Sequence, residues 1–348
     1  MFEIVVTACL MAQPEICRDL LASDRVFRSQ DSCTQAAALS QADGPVLPQG
    51  VVITKTRRCE KQGHALYLTE IQPGLFVHQG VVAEAGPDNL GGIANLGVII
   101  GERSIAVIDT GGSRAAGEAL LRAVRRLSDL PVSHVFLTHM HPDHVLGASV
   151  FVEAGAEIVA HPSLRRALLD RTGSYIEGYG RLIGDNAFLG TRVVVPDEGE
   201  PPSAIDLGGR RLETFIWPSA HSPTDMGVLD EKTGTLFAGD IIFDRHVPVL
   251  DGSLKGWLAV LSGLDIDMPR RIVPGHGRIS FGTANEATAP VRSYLQALEQ
   301  DTRSAIATGK RLSEAIRTIG QSEAGSWERF EAFNARNATA AFTELEWE

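Results

Sequence analysis

Short apolar runs separated by glycine-rich turns dominate the middle of the chain, and their composition is typical of β-strands. After these runs, the apolar residues of segment 113–130 recur at helical spacing, with Ser113 at the N-cap position. This pattern predicts an amphipathic helix. The four runs that precede the helix are HALYLTEI, GLFVHQGVV, NLGVIIG and SIAVIDT.

Strand and helix patterns then alternate along the chain. Helices are expected around 143–154 and from Ser163 onward, and residues 172–202 are expected to form a long loop. Such alternation is typical of a layered α/β fold, in which helices cover the faces of sheets. The strands predicted in this part are SHVFLT, AEIVAH, RRLETFIW, MGVLDEKTGTLFAGD and RRIVPGHG.

The two ends of the chain differ from this middle part. Residues 1–42 carry helical patterning around PEICRDLLA and TQAAALSQA, and residues 43–50 have the composition of a linker. The last 60 residues are predicted to be helical over 287–308, 312–319 and 327–345. We therefore expect three parts: a small N-terminal module (1–60), an α/β domain (61–285) and a C-terminal helical extension (286–348).

The composition excludes several classes of protein. The 348 residues are 44% hydrophobic and 22% charged, as in an ordinary globular protein. Every apolar run is shorter than the roughly 18 residues that a membrane helix needs, so no membrane span is expected. The formal net charge is −11 and basic residues form no long block, so nucleic acid is not an expected partner.

All four cysteines, Cys9, Cys17, Cys33 and Cys59, lie within the first 59 residues. This clustering predicts two disulfides that close a small module. A zinc knuckle and four free thiols are the alternatives, and the lack of a CxxC pair argues against zinc. Of the three pairings we favour Cys17–Cys33 with Cys9–Cys59, because the segment between Cys17 and Cys33 can turn back as two short helices.

Disulfides are typical of proteins in oxidising compartments, so a periplasmic or secreted location is expected. The first residues, MFEIVVTACLMA, contain Glu3 and lack a basic start, which is unlike a signal peptide. We therefore expect the leader of an exported protein to be absent from this chain.

Three histidines and one aspartate crowd into six residues directly after the apolar strand SHVFL. These residues are His139, His141, Asp143 and His144. Clustered imidazoles would repel one another on protonation, whereas a metal dication holds them neutral. Imidazole and carboxylate ligands without thiolate favour zinc, with iron or manganese as alternatives.

Three further ligand-type residues, His221, Asp240 and His276, also follow apolar strands. Binding sites collect at strand ends in layered α/β folds, so we expect these residues to converge on the first cluster. Seven ligands are too many for one tetrahedral zinc and suit two metals that share one carboxylate. The seven predicted ligands are His139, His141, Asp143, His144, His221, Asp240 and His276.

The segment HMHPDH resembles the HxHxDH signature of the metallo-β-lactamase superfamily, and IDTGG, AHSPTD, FAGD and VPGHG extend the resemblance over residues 66–280. The resemblance implies an αβ/βα sandwich with a dinuclear site at one edge of its two sheets. It further implies that Asp240 bridges the metals. One metal would be held by His139, His141 and His221, and the other by Asp143, His144 and His276.

Within that superfamily the chain is most similar to the quinoprotein relay system zinc metallohydrolases, which are relatives of SoxH-type proteins. The stretches GGIANLGVIIGERSIAVIDTGGS, VPVLDGSLKGWLAVL and FNARNATAAFTELEWE carry this likeness over residues 66–348. It implies a functional link to a periplasmic quinoprotein dehydrogenase system.

Several residues around the signature have open roles. Asp109 is expected to orient a ligand histidine, with a turn-capping aspartate as the alternative. His161 either lines the site or lies at a strand end. Aromatic residues of the expected 172–202 loop either form a substrate lid or pack in an ordinary way; they are Tyr175, Tyr179 and Phe188.

The expected activity is hydrolysis of an ester, thioester or amide-type bond in a small-molecule substrate by a metal-bridging hydroxide. Asp143 is expected to be both a metal ligand and the proton acceptor. The alternatives are a mononuclear iron enzyme resembling the sulfur dioxygenases and a non-catalytic accessory protein that binds a quinoprotein. Retention of all seven ligands favours catalysis, because a scaffold needs no open metal positions.

Overall fold

A computed structural model describes residues 1–39, 44–264 and 270–348. The strands are β1 (Phe2–Leu10), β2 (Cys17–Phe27), β3 (Val51–Lys61), β4 (Thr69–Gln72), β5 (Leu75–His78), β6 (Leu96–Ile100), β7 (Ile105–Ile108), β8 (Val132–Leu137), β9 (Glu157–Ala160), β10 (Ala204–Asp206), β11 (Arg211–Ile216), β12 (Met226–Asp230), β13 (Thr235–Phe243) and β14 (Arg271–His276). The helices are α1 (Gln30–Leu39), α2 (Arg114–Leu127), α3 (Pro142–Val145), α4 (Ala148–Glu153), α5 (Leu164–Ile183), α6 (Asp185–Phe188), α7 (Leu254–Gly263), α8 (Ala284–Ala307), α9 (Leu312–Ala315) and α10 (Phe330–Leu345).

Two sheets pack face to face in the middle of the chain. One has six strands in the order β4-β5-β6-β7-β8-β9, and the other has five in the order β10-β11-β12-β13-β14. Alternate residues of a strand point to opposite faces of its sheet. In β8, Phe136 therefore joins the core between the sheets, whereas Val135 and Leu137 join the core beneath the helices.

Helices cover the outer faces of both sheets. Helices α2, α4 and α5 pack on the six-stranded sheet, and α7, α8 and α10 pack on the five-stranded sheet. The layers are therefore helix, sheet, sheet, helix, and the expected αβ/βα sandwich is confirmed. Ser113 caps α2 as expected, since its hydroxyl accepts a bond from the amide of Ala116 at 3.1 Å.

The N-terminal module contains a three-stranded antiparallel sheet in the order β2-β1-β3. The helix expected around PEICRDLLA is wrong, because Cys17–Phe27 forms β2. Pairing with β1 overrides the local helical pattern, and Leu20 is fully buried in the resulting sheet. The second expected helix is present as α1. The expected linker begins at residue 43, which lies outside the described residues, and 44–50 lead into β3.

Both predicted disulfides are present, but the favoured pairing is wrong. The structure joins Cys9 to Cys17 and Cys33 to Cys59. Cys9 and Cys17 lie opposite each other in the β1–β2 register, so the hairpin itself brings them together. Cys33 is fully buried on α1, which packs on β3 beside Cys59.

Buried ion pairs fasten this module to the sandwich. The fully buried carboxylate of Glu118 accepts bonds from Arg114 at 2.9 Å and from Arg18 at 3.0 Å. One turn further along α2, Arg122 bonds to Glu3 at 2.8 Å. Charges that leave water need such partners, so this cluster fixes the position of the module on α2.

The long loop expected over 172–202 is largely wrong, because α5 and α6 occupy its first half. Three glycines at 173, 178 and 180 weaken the local helical signal. However, Leu168, Tyr175, Tyr179 and Ile183 recur at helical spacing and pack against the core of the six-stranded sheet. Tertiary packing of this face therefore decides the conformation.

Helices of the C-terminal extension are confirmed, with α8, α9 and α10 close to the predicted ranges. The helix expected over 143–154 is split into α3 and α4 at Gly147. A Cβ at Gly147 would lie 2.1 Å from the carbonyl oxygen of Thr110, so the backbones meet too closely for another residue. Within residues 1–39, 44–264 and 270–348, no helix has the length and apolar character needed to cross a membrane.

Replacing Glu118 by glutamine should lower the free energy of unfolding by about 3 kcal/mol at neutral pH, because Arg18 and Arg114 lose a buried counter-charge. Burial acts to raise the pKa of Glu118, but Arg18, Arg114 and Arg122 lower it below its usual value. The wild type therefore loses this contribution as pH falls through the lowered pKa. Urea denaturation should show a stability difference that is full near neutral pH and shrinks in acid.

The matched control is Glu177→Gln. Glu177 forms an ion pair with Arg181 at the same i,i+4 spacing, but both side chains are exposed. Exposed pairs of this kind contribute little to stability. A similar loss in both variants would contradict the role assigned to the Glu118 cluster.

Alkylation of the denatured, unreduced protein should label no cysteine, and peptide mapping should recover Cys9 linked to Cys17 and Cys33 linked to Cys59. The second bridge closes the longer loop, with a sequence separation of 26 against 8. Loop entropy then predicts that paired serine substitutions cost about 3.5 kcal/mol for the second bridge and about 2.5 kcal/mol for the first. Recovery of a Cys17–Cys33 peptide would refute the pairing.

Candidate metal centre

The signature residues follow the carboxyl end of β8. Its last three residues, Val135, Phe136 and Leu137, are fully buried in the six-stranded sheet, and the chain then leaves the sheet at Thr138. The short helix α3 starts at Pro142 and turns the following side chains back towards the strand end. The buried end of β8 and the turn at α3 together direct the side chains of the signature towards one point.

The other predicted ligands come from the five-stranded sheet. His221 lies in the loop before β12, Asp240 lies within β13, and His276 is the last residue of β14. The β13–β14 register shifts around Asp240. Gly275 gives the carboxylate room, because a Cβ there would lie 1.8 Å from Oδ1 of Asp240.

One group of candidate ligands contains His139, His141, His221 and Asp240. Nδ1 of His141 lies 3.1 Å from Nε2 of His139 and 3.0 Å from Nε2 of His221. Oδ2 of Asp240 lies 3.7 Å from Nε2 of His139 and 3.5 Å from Nε2 of His221. Three imidazole nitrogens and one carboxylate thus converge.

The second group contains Asp143, His144 and His276. Oδ2 of Asp143 lies 3.4 Å from Nε2 of His144 and 3.3 Å from Nε2 of His276. Asp240 also approaches this group, with Oδ1 3.4 Å from His144 Nε2 and Oδ2 3.4 Å from His276 Nε2. The carboxylate of Asp240 therefore lies between the two groups.

The donor set fits divalent metal ions. Within each group the ligand atoms lie within 4.8 Å of one another. Nε2 of His144 and Oδ1 of Asp240 are buried and have no hydrogen-bond partner among the described residues. Buried polar atoms are normally satisfied, so two orphaned atoms that face each other across a ligand cluster fit the binding of a cation. Imidazole and carboxylate donors are ligands typical of zinc.

Asp109 contacts His144 of the second group at Nδ1, the ring nitrogen that does not face the other ligands. Its Oδ2 accepts the Nδ1–H of His144 at 2.8 Å and the hydroxyl of Thr138 at 2.8 Å, and its Oδ1 accepts the Thr138 amide at 2.9 Å. The backbone of Asp109 has a φ of +57°, which is uncommon outside glycine. This turn directs the other nitrogen of His144 into the cluster.

Backbone carbonyls hold two more histidines in the same way. The Nδ1–H of His221 is donated to the Val249 carbonyl at 2.6 Å, and that of His276 to the Ile93 carbonyl at 2.9 Å. In both rings the Nε2 atom is left to face the cluster. These contacts set the tautomer that a metal ligand requires.

Burial and the charges of neighbouring ligands shift the pKa values of the candidate ligands in different directions. Burial lowers the pKa of His221 to about 3 and that of His139 well below its usual range. Burial also opposes the charge on His276, but Asp240 and Asp143 raise its pKa to about 10. The pKa values of Asp143 and Asp240 lie well below normal, since nearby histidines outweigh the effect of burial. The carboxylates are therefore ionised and ready to hold a cation.

The predicted lid residues lie on helices rather than on a loop. Burial raises the pKa of Tyr175; Arg171 opposes this change, and the carboxylates of Asp251 and Asp143 act in the same direction as burial. Tyr179 is buried against glycines 91 and 112. Phe188 is buried and packs on Gly180. Tyr179 and Phe188 are therefore part of the core, and the role of the three residues as a substrate lid stays a prediction.

His161 lies at the end of β9, where its Nδ1 accepts the amide of Ser163 at 3.0 Å. Within the described part of the chain, neither ligand group includes it. This placement corresponds to the alternative of a strand-end histidine.

Sequence reasoning missed three residues around the site. His246 is buried, with its ring 5.4 Å from that of His276 and 5.1 Å from that of Phe333. Asp251 accepts the Nε2–H of His141 at 3.0 Å, and Arg336 bonds to Asp251 at 2.8 Å. Two of these residues lie in the stretches VPVLDGSLKGWLAVL and FNARNATAAFTELEWE, but nothing in those stretches marks a single charged residue as part of the site.

Comparisons with known proteins agree with this architecture. A linear primary-alkylsulfatase from Pseudomonas sp. (strain ATCC 19151) is 28% identical over 151 residues, which are 41% of this chain and 27% of that protein. The uncharacterized protein YobT of Bacillus subtilis (strain 168) is 25% identical over 157 residues, 44% of this chain and 64% of that protein. The chain thus spans less than two thirds of either relative's length.

A solved structure shares the fold. The sec-alkylsulfatase Pisa1 from Pseudomonas sp. superposes with a TM-score of 0.60 at 17% identity, over 80% of this chain and 50% of that one. A sequence profile of the metallo-β-lactamase superfamily matches residues 90–299, which include all seven candidate ligands. Because this match covers more than half of the chain, the protein belongs to the metallo-β-lactamase superfamily, whose members are metal-dependent hydrolases.

Proposed function

We propose that the protein is a dinuclear zinc hydrolase that cleaves an ester, thioester or amide-type bond in a small-molecule substrate. The observation that carries this proposal is the convergence of two adjoining ligand groups on either side of Asp240. A carboxylate between two histidine-rich groups suits a pair of cations better than one.

In this proposal His139, His141 and His221 hold one zinc ion, and Asp143, His144 and His276 hold the other, with Asp240 shared. Two bound cations supply Lewis acidity, which lowers the pKa of water and polarises the bond to be cleaved. Asp109 keeps His144 in the required orientation from behind.

Asp143 is the proposed proton acceptor. Its side chain is 10% exposed against 4% for Asp240, so it is the more open of the two ligand carboxylates. Burial alone would raise its pKa, but His144 and His276 hold that pKa well below normal and keep the group ionised. An ionised carboxylate at the mouth of the site can take a proton from water and orient the attacking oxygen.

A sulfate ester is the second candidate substrate. The favouring observation is the 28% identity to a linear primary-alkylsulfatase. Hydrolysis of a sulfate ester and of a carboxylic ester both require water activation and stabilisation of developing negative charge, so the same residues serve either reaction.

We further propose a periplasmic or secreted location, which two disulfides in a small module favour. The likeness to quinoprotein relay metallohydrolases, with a quinoprotein dehydrogenase system as partner, stays a prediction, as do the domain limits at residues 60 and 285.

Purified protein loaded with zinc should contain two zinc ions per chain and hydrolyse at least one member of a panel. The panel comprises a carboxylic ester, an acyl thioester, a β-lactam and a primary alkyl sulfate. Chelation should abolish activity and zinc should restore it. A single bound iron with oxygen uptake would instead support the dioxygenase alternative, and full zinc occupancy with no turnover would support the accessory protein.

Asp143→Asn should retain at least one zinc ion yet lose about 10²- to 10⁴-fold in kcat, because an amide cannot accept the proton. The measurements are metal analysis and steady-state kinetics on the best substrate of the panel. The control Asp170→Asn alters an exposed carboxylate on α5 that pairs with Arg166, and should leave both quantities unchanged. Near-normal kcat with full zinc in Asp143→Asn would show that another group takes the proton.

A further inference from the structure

One short segment, 248–255, contacts two of the three histidines in the first ligand group. The carbonyl of Val249 accepts the Nδ1–H of His221 at 2.6 Å. The amide of Asp251 donates to the His221 carbonyl at 2.9 Å, and Oδ2 of Asp251 accepts the Nε2–H of His141 at 3.0 Å. The position of this segment therefore decides how both rings present their other nitrogen.

The C-terminal helix α10 in turn holds the segment. The side-chain amide of Asn337 donates to the Pro248 carbonyl at 2.6 Å and accepts the Leu250 amide at 2.9 Å. Glu344, two turns further along, accepts the Leu254 amide at 2.6 Å. All three bonds fix backbone atoms, so α10 sets the path of the segment.

Arg336 adds a bond to the side chain of Asp251, which is the side chain that holds His141. Its Nη2 donates to Oδ1 of Asp251 at 2.8 Å, while Oδ2 of the same carboxylate holds His141. The two oxygens of Asp251 are thus divided between a metal-ligand candidate and the C-terminal helix.

His141 is the candidate ligand whose orientation depends most on such a contact. Its side chain is 18% exposed, whereas those of His139, His144, His221 and His276 are 7% exposed or less. Packing constrains its ring least, and a bond to Nε2 is what turns Nδ1 into the cluster. Without Asp251 the ring loses the hydrogen bond that holds Nε2 in this orientation.

We propose that Arg336 is a positioning residue of the metal centre: by fixing Asp251 it fixes His141, and so it raises the zinc affinity of the group formed by His139, His141 and His221. The inference rests on the zinc binding of the proposed function and assigns the C-terminal helix a part in it. Among the described residues, no hydrogen bond or ion pair joins Asp143, His144 or His276 of the second group to Asp251 or Arg336, so that group should be unaffected.

A purely structural role of Arg336 would instead predict that its loss lowers the stability of the metal-free protein. The Arg336–Asp251 pair is largely open to solvent, with side chains 57% and 28% exposed. Such pairs contribute little to global stability. Loss of Arg336 should therefore leave the melting temperature of the metal-free protein close to that of the wild type and change zinc affinity alone.

The test is zinc titration of the full-length, metal-free protein against a chromophoric chelator. Two backgrounds separate the groups: His276→Ala leaves the first group intact, and His139→Ala leaves the second. In the His276→Ala background, Asp251→Ala should weaken zinc binding by about 10- to 100-fold, and Arg336→Met by about tenfold. Arg336→Lys should lose less than Arg336→Met, because an ammonium can still donate to Asp251.

Arg303→Met is the matched control. Arg303 is 47% exposed and bonds to Glu348, which also pairs with Lys255 at the end of segment 248–255, but among the described residues Arg303 has no bond to Asp251. It should leave both zinc affinities unchanged. Cobalt(II) absorption of the first group, recorded in the same variants, should change with Arg336→Met and stay constant with Arg303→Met.

Four results would overturn the inference. Zinc affinity in Arg336→Met equal to that of its parent would remove the positioning role. Equal losses in both backgrounds, or an equal loss in Arg303→Met, would indicate general loosening of the C-terminal helix. A wild-type protein that binds no zinc would overturn the proposed function together with the inference, whereas normal wild-type binding with an unaffected Arg336 variant would overturn the inference alone.

Discussion

Seven ionisable side chains surround one point of this protein, six of them buried and His141 partly buried, and this burial is the constraint on which the rest of the structure depends. Desolvating a charge is costly unless an opposite charge lies close by. Here the carboxylates of Asp143 and Asp240 face five imidazoles, and two of the ligand atoms are buried without a partner. Divalent cations resolve this arrangement, because they keep imidazoles neutral and carboxylates ionised.

The sandwich supplies what such a site needs. Strand ends from both sheets meet at one edge, and each ligand approaches from a strand or turn that is buried elsewhere. A second layer of bonds then sets the rings: Asp109 for His144, and the carbonyls of Val249 and Ile93 for two others. Contacts within the protein thus hold these rings in place, as a preorganised metal centre requires.

Two parts of the chain lie outside the superfamily match, the N-terminal module and the C-terminal extension, and they differ in whether they bond to residues around the site. The N-terminal module is fastened to α2 by the Glu118 cluster, away from the ligand groups, and its disulfides strengthen a unit with little core of its own. In contrast, α10 begins at residue 330, beyond the end of the match at 299, yet it bonds to the segment that orients His141 and His221. The C-terminal extension therefore belongs to the metal centre in a way that the module does not.

Local sequence determined the features that depend on neighbouring residues alone. The signature HMHPDH after an apolar strand predicts a metal site, and helical spacing with Ser113 as the cap predicts α2, because ligand spacing and amphipathic periodicity are encoded in a few adjacent residues. Clustering of cysteines likewise predicts disulfides.

Only the tertiary structure decided the features that depend on long-range pairing. Cys17 lies opposite Cys9 because β2 pairs with β1, and the same pairing turns a helical pattern into a strand. In α5, packing of Tyr179 and its neighbours against the sheet outweighs the glycines that indicate a loop. Asp251 and Arg336 are 85 residues apart, and no local pattern reveals that folding places them behind His141. Their roles arise from the contact between α10 and segment 248–255, which exists only in the folded chain.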